Sequence, residues 1–180
     1  MLNGNAESFL KLWPWENLAS AYIIGKVISN IKDFYIQSTY LEKYANYACC
    51  WALTDAIKIK ITPKNEKEYW DILCKYLKSN HIFKRRLGVI LMFGYIQKEE
   101  YIHKIFLNVQ NLYEEREYYV NMALAWLLCE CFVKQRNITL KYLENGIANT
   151  FVTNKCISKC RDSFRVSLED KQLLLNYKKR

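Results

Sequence analysis

Only five glycines and two prolines punctuate the 180 residues of this chain. A β-sandwich or barrel needs frequent tight turns and places glycine and proline in them, so so few of either points to long helices joined by short polar connections. Hydrophobic residues make up 51% of the sequence and aromatic ones 15%, enough for the chain to bury its own core. A single domain over residues 1–180 is therefore expected.

Apolar residues recur at helical spacing almost throughout. Helices are predicted over residues 16–29 and 33–43, with Asp33 as N-cap of the second. A third is predicted over residues 44–61. It stops before Thr62-Pro63, where Thr62 suits an N-cap and Pro63 the first position of a helix over 64–78. Further helices are predicted over 82–96, 99–113, 117–134, 138–149 and 153–164. A last one opens at Ser167, with Asp170 three residues on as a variant capping box.

These segments alternate in character. Residues 33–43, 64–78 and 99–113 are charged on one side, whereas the helices that follow them are apolar around most of their circumference. A two-layer helical solenoid produces that alternation, because the inner helix of each pair is covered by its partner and its neighbours. Trp51, Arg86 and Trp126 stand 35 and 40 residues apart, a spacing of HEAT or armadillo size. The expected fold is all-α, a HEAT-like helical-repeat solenoid with a concave face.

The net charge of +9 and an isoelectric point near 9.1 direct attention to a polyanion, with a membrane surface or an acidic protein as other partners of that sign. The charge is concentrated late: from Thr150 onward eight basic residues face three acidic ones. The bases Lys155, Lys159, Arg161 and Arg165 are spaced by four, two and four, which leaves three of them near one helical face. A solvated face is the plain explanation of such a run. The seven cysteines, with Cys49-Cys50 and Cys129/Cys131 in apolar, helix-like stretches, read as reduced core residues of a cytoplasmic protein. The opening MLNGNAESFL has no basic region followed by a sustained apolar run, and no segment approaches the roughly 18 apolar residues of a membrane span.

Polar residues on the apolar helices need an explanation, because burying a lone carboxylate is costly. Asp55 follows Trp51 by four positions, so both project from one helical face. Arg86, one repeat later, is placed to sit beside them, and Trp126 to close the other side. The alternative reading makes Trp51 and Trp126 core residues and joins Asp55 to Arg85 or Arg86 in a salt bridge between repeats.

The blocks NYACCWALTDAI, FKRRLGVILMFGYI, EYYVNMALAWLLCECF and NKCISKCRDSFRVSLEDK occur in this order between about Ala45 and Lys171. Together they resemble the HEAT-like-repeat DNA alkylation repair family, the AlkD-like DNA glycosylases. The resemblance implies a curved solenoid that cups duplex DNA against a basic concave surface. It also implies hydrolysis of the N-glycosidic bond of N3- or N7-alkylated purines, without metal or other cofactor and without flipping the lesion into a pocket. By position Asp55 matches the family's catalytic carboxylate, Trp51 and Trp126 its two indoles against the deoxyribose, and Arg86 its phosphate-contacting arginine, with Arg85 as second candidate. Lys84, Lys155, Lys159, Arg161 and Arg165 are the further DNA contacts it implies.

Those residue types suit that chemistry. An alkylated purine already carries positive charge and leaves easily, so the protein has to stabilise an oxocarbenium-like sugar and position a water. A carboxylate supplies negative charge, indole faces attract the cation, and basic side chains fix the phosphates. Two features depart from the family. Only 50 residues precede Trp51, fewer than the family carries, and Cys129 and Glu130 stand where it has a basic residue after the second Trp. Some relatives with such losses bind DNA without excising bases, so a non-catalytic binder of damaged or branched DNA is the first alternative. A helical scaffold for an acidic protein is the second. Neither the cysteines nor His81 and His103 show zinc-ligand spacing, and no glycine-rich phosphate loop occurs.

Overall fold

The computed structural model describes Leu10 and residues 17–179. The expected first-helix start at Glu16, the segment MLNGNAESFL apart from Leu10, and the terminal Arg180 lie outside these. Among the described residues there is no strand, so the chain is all-α. It divides into two compact units, Met1–Leu91 and Met92–Arg180.

The first unit holds α1 (Leu18–Asn30), α2 (Phe34–Tyr47), α3 (Trp51–Ala56), α4 (Glu66–Leu77) and α5 (Ile82–Leu91). Asn17 and Ser20 close a capping box at the start of α1, and Asp33 accepts the Ile36 N–H at 2.9 Å as expected of an N-cap. The predicted helix over 44–61 is three pieces instead. Its first four residues finish α2, Cys49-Cys50 form a break rather than a helix interior, and only six residues make α3. The remainder, Ile57-Lys58-Ile59-Lys60-Ile61, runs on without helix. A period-two alternation of this kind belongs to extended backbone. The next helix begins at Glu66, later than expected, because the Asn65 carboxamide turns back to accept the Thr62 N–H at 2.8 Å and the chain turns over residues 63–65.

A six-residue helix is too short to stand on its own propensity, and tertiary contacts hold α3. Leu53, Thr54 and Ala56 are buried, and the buried Tyr44 hydroxyl donates to the Leu53 carbonyl at 3.1 Å. Gly25 on α1 makes this packing possible. A Cβ there would lie 2.5 Å from the Tyr44 hydroxyl oxygen and 3.2 Å from Ala56 Cβ. Helices α3 and α4 both pack on α5. Across the same core Tyr69 donates to Gln37 Oε1 at 2.5 Å, and Gln37 Nε2 donates to the Ile28 carbonyl at 2.8 Å.

The second unit opens with a 3₁₀ turn (Met92–Tyr95). It continues through α6 (Glu99–Asn111), α7 (Tyr118–Lys134), α8 (Arg136–Glu144), α9 (Thr150–Asp162), α10 (Leu168–Leu173) and a final 3₁₀ turn (Leu174–Tyr177). Helix α7 is buried on nearly every side, through residues such as Val120, Leu124, Leu127, Leu128 and Phe132. Full burial of such side chains is worth roughly 1.5–3 kcal/mol each. Helices α8 and α9 cover it, which is the alternation the sequence implied. Helix α8 ends in a Schellman motif on Gly146 (φ 64°), with Ile147 N–H reaching the Tyr142 carbonyl and Gly146 N–H the Leu143 carbonyl. Asn149 and Ser167 cap α9 and α10. No helix among the described residues is long and apolar enough to cross a membrane.

Candidate functional site

In the first unit Trp51 and Asp55 lie four residues apart on α3. Trp51 is 54% exposed, so it is not a core residue, while the Asp55 side chain keeps 21% of its surface in solvent. Arg86 enters from α5 and is buried to 4% exposure. Its Nη2 donates to Asp55 Oδ1 at 2.8 Å and to Oδ2 at 2.9 Å. Its Nε is shared between Asp55 Oδ1 at 3.2 Å and Thr54 Oγ1 at 2.9 Å.

Thr54, fully buried, completes the arrangement. Its hydroxyl accepts from Arg86, and its single proton has the Trp51 carbonyl at 2.9 Å and Asp55 Oδ1 at 3.1 Å as acceptors. Asp55 Oδ1 is therefore crowded with donors. Among the described residues Oδ2 accepts one hydrogen bond, which leaves a lone pair directed elsewhere. Two side chains, Thr54 from α3 and Arg86 from α5, thus hold a solvent-reaching carboxylate in one orientation, with a large exposed indole one turn before it.

The neighbours of Arg86 are placed differently from the DNA contacts the resemblance implies. Lys84 is buried, and its ammonium donates to Glu42 at 2.5 Å and Asn46 at 2.8 Å while lying 5.0 Å from the centre of the Tyr76 ring. It is a structural cation of this unit. Burial alone would raise the Glu42 carboxyl. The hydrogen bonds from Lys84 and Tyr76, with the charges of Lys84 and Lys75, hold it below the ordinary value instead. Arg85 is half-buried, and its Nη1 donates to the Ser79 carbonyl at 2.8 Å. Arg86 itself faces a carboxylate, not solvent, so its placement is that of a group orienting Asp55 and not of a phosphate contact.

In the second unit Trp126 is half-buried on α7 against Phe93, ring centres 4.6 Å apart. Glu130, one turn on, is hydrogen-bonded by Trp126 and held by both terminal nitrogens of Arg165, one of them at 2.8 Å. The Arg165 hydrogen bond lowers its carboxyl most, against the effect of burial, and Trp126 adds to the lowering. Arg165, expected at DNA, is thus paired, although half of its side chain remains exposed. Lys155 and Arg161 are exposed on α9 and Lys159 is half-exposed. The structure brings Trp51, Asp55 and Arg86 together in one unit, whereas Trp126 and the basic residues of α9 belong to the other.

Sequence reasoning missed Thr54, whose only signal was a hydroxyl placed between Trp51 and Asp55 on an apolar helix. It also missed the Glu130–Arg165 pair, because 35 residues separate the partners and only the fold joins them. Among the described residues no group of three or more His, Cys, Asp or Glu is placed to hold a metal ion. Compared with known families, residues 5–159 match the family model described as DNA alkylation repair enzyme. No curated protein and no solved structure gives a significant match.

Proposed function

This chain belongs to the DNA alkylation repair enzyme family, and from that premise we propose that it binds duplex DNA and hydrolyses the N-glycosidic bond of N3- or N7-alkylated purines. The observation that carries the reading is Asp55: a carboxylate open to solvent, clamped by the buried Arg86 and Thr54, beside the exposed Trp51. The Oδ2 edge is the one that orients the attacking water and faces the positive charge developing on the sugar. Arg86 acts through Asp55, keeping the carboxylate fixed so that little reorganisation is needed as the bond breaks. Trp51 offers its face to the cationic sugar. Trp126 serves as the second indole, and Lys155, Lys159 and Arg161 meet phosphates.

A non-catalytic DNA binder is the second reading. Two observations favour it: Arg86 offsets the negative charge of Asp55, and Glu130 with Arg165 occupies the place where the family resemblance implies a free basic residue. One experiment separates the readings. Duplex containing 7-methylguanine is incubated with the protein and then treated with alkali; the wild type should give strand breaks and Asp55→Asn at least about a hundredfold fewer, the scale of a lost electrostatic group in a catalytic site. Intact DNA that is still retarded in a gel selects the binder. No retardation at low salt removes DNA altogether and leaves the acidic-protein scaffold.

A further inference from the structure

Within the second unit an open cleft of about 480 Å3 lies between the turn after α6 and the first turns of α7 and α9. Three exposed rings line it: Tyr113, Tyr118 and Phe151. Tyr118 and Phe151 meet edge to face, ring centres 5.9 Å apart at 66°, so they form a corner. Its floor is built and satisfied. Asn121 donates to the Glu115 carbonyl at 2.9 Å, and Asn149 Nδ2 lies within 3.4 Å of the Tyr113 and Glu115 carbonyls and Asn121 Oδ1. The shape is therefore preformed and does not depend on a ligand.

The charges around the cleft decide what it suits. Lys155 Nζ sits 5.9 Å from the centre of the Phe151 ring and Lys179 Nζ 5.9 Å from that of Tyr113, and Arg116 lines the opening. Two carboxylates are present. Glu115 turns inward to accept the Arg116 and Glu117 N–H groups at 3.0 and 2.9 Å, which leaves Glu114 as the outward one. The Lys179 ammonium is engaged by the Ala148 carbonyl at 2.7 Å, so Lys155 and Arg116 are the cations that border exposed rings, with Glu114 as the outward acid of the lining. Aromatic faces interleaved with basic groups are what an unpaired nucleotide needs: a base stacks on a ring without regard to sequence, and its phosphate meets an ammonium.

We propose that this cleft receives an unpaired base of a DNA strand, stacked against Phe151 and Tyr118, with the adjoining phosphate held by Lys155 and Arg116. The inference rests on the DNA-binding part of the reading above, not on its catalytic part. It places a nucleic-acid site in the unit that does not hold Asp55, suited to a bulged or unstacked nucleotide or to a single-stranded end.

The test is fluorescence anisotropy with a labelled single-stranded oligothymidylate, an intact duplex and the same duplex carrying a one-base bulge. Tyr118→Ala and Phe151→Ala should each weaken the single strand and the bulged duplex about tenfold or more, and the intact duplex less than twofold. Lys155→Gln should flatten the salt dependence of single-strand binding by nearly one unit of slope. Glu114→Gln should tighten it, since an anion is being received. Because Tyr118 is more than half exposed, its variant separates a lost contact from a lost fold. The proposal is overturned if both ring variants bind the single strand like the wild type. It is equally overturned if Glu114→Gln weakens binding and tetramethylammonium competes, since the cleft would then serve a cation. A wild type that binds the oligothymidylate in a ring-dependent way but leaves 7-methylguanine duplex intact upholds the cleft and sinks only the glycosylase reading.

Discussion

Replacing Asp55 by Asn is nearly isosteric, yet the geometry makes it costly to the fold as well as to the chemistry. Arg86 Nη2 donates to both carboxylate oxygens, at 2.8 and 2.9 Å. Whichever way the new amide is turned, its NH2 group faces a guanidinium N–H at about that distance, so at least one charge-assisted hydrogen bond, worth about 1.5–3 kcal/mol, is lost. Removing one partner of a fully buried ion pair costs about 3–5 kcal/mol. Partial exposure of Asp55 and the surviving bonds to its other oxygen bring the expected loss to about 2–3 kcal/mol. For a chain of this size that lowers Tm by about 4–12 °C. Arg86→Met should cost a similar amount, because it also removes the donor to the buried Thr54 hydroxyl. The double variant should cost less than the sum of the two by about 1–2 kcal/mol, since the groups are spent on each other. Urea unfolding of the four proteins, followed by far-UV circular dichroism, measures this. Single losses below about 0.5 kcal/mol, or strict additivity, would refute the clamp and reduce the pair to an ordinary surface contact.

The Glu42–Lys84 pair makes unfolding sensitive to acid. Glu42 has its folded-state pKa depressed below the ordinary value of 4.5, so its stabilising contribution is present above that value and is lost as pH falls through the depressed one. Glu42→Gln should therefore be less stable than the wild type at pH 7, with urea midpoints converging as the solution is acidified below pH 4.5; a gap that stays constant would contradict the ion pair. Gly25→Ala should destabilise by about 1–3 kcal/mol despite the better helix propensity of alanine, because its methyl group meets the Tyr44 hydroxyl. Tyr44→Phe removes the nearer clashing atom but leaves the ring carbon Cζ 2.9 Å from that methyl group, so a double variant should recover only part of the loss, and thermal melts of the three proteins would expose either full recovery or none.

Helix type and order were legible because each long helix carries its own period. The caps at Asp33 and Ser167 were readable from single residues, since a short polar side chain before an apolar run has few other uses. The break at Cys49-Cys50 was not readable: it contains no glycine, proline or capping side chain, and the pull of Leu53 and Ala56 into the core ends α2 there. The Ile-Lys alternation that follows did carry its signal, and the longer helical pattern around it obscured that signal. At the site, Asp55 and Arg86 were legible as partners by repeat spacing. The fate of Lys84 was not, because a lysine beside two arginines on a basic chain looks the same in sequence whether it faces solvent or Glu42. Its neighbour in space comes from α2, forty-two residues earlier.

The interior of the second unit contains four thiols, Cys129 and Cys131 on α7 and Cys156 and Cys160 on α9, all buried and unoxidised. The hydrogen bond with Cys160, then burial, raises the Cys129 thiol far above its ordinary value, and burial does the same for Cys131. Sulfur attacks carbon electrophiles as thiolate, so the methylating agents that damage DNA find no ready nucleophile in this core. Among the seven cysteines Cys49, at the bend two residues before Trp51, is the exposed one, and so the thiol such reagents would reach first.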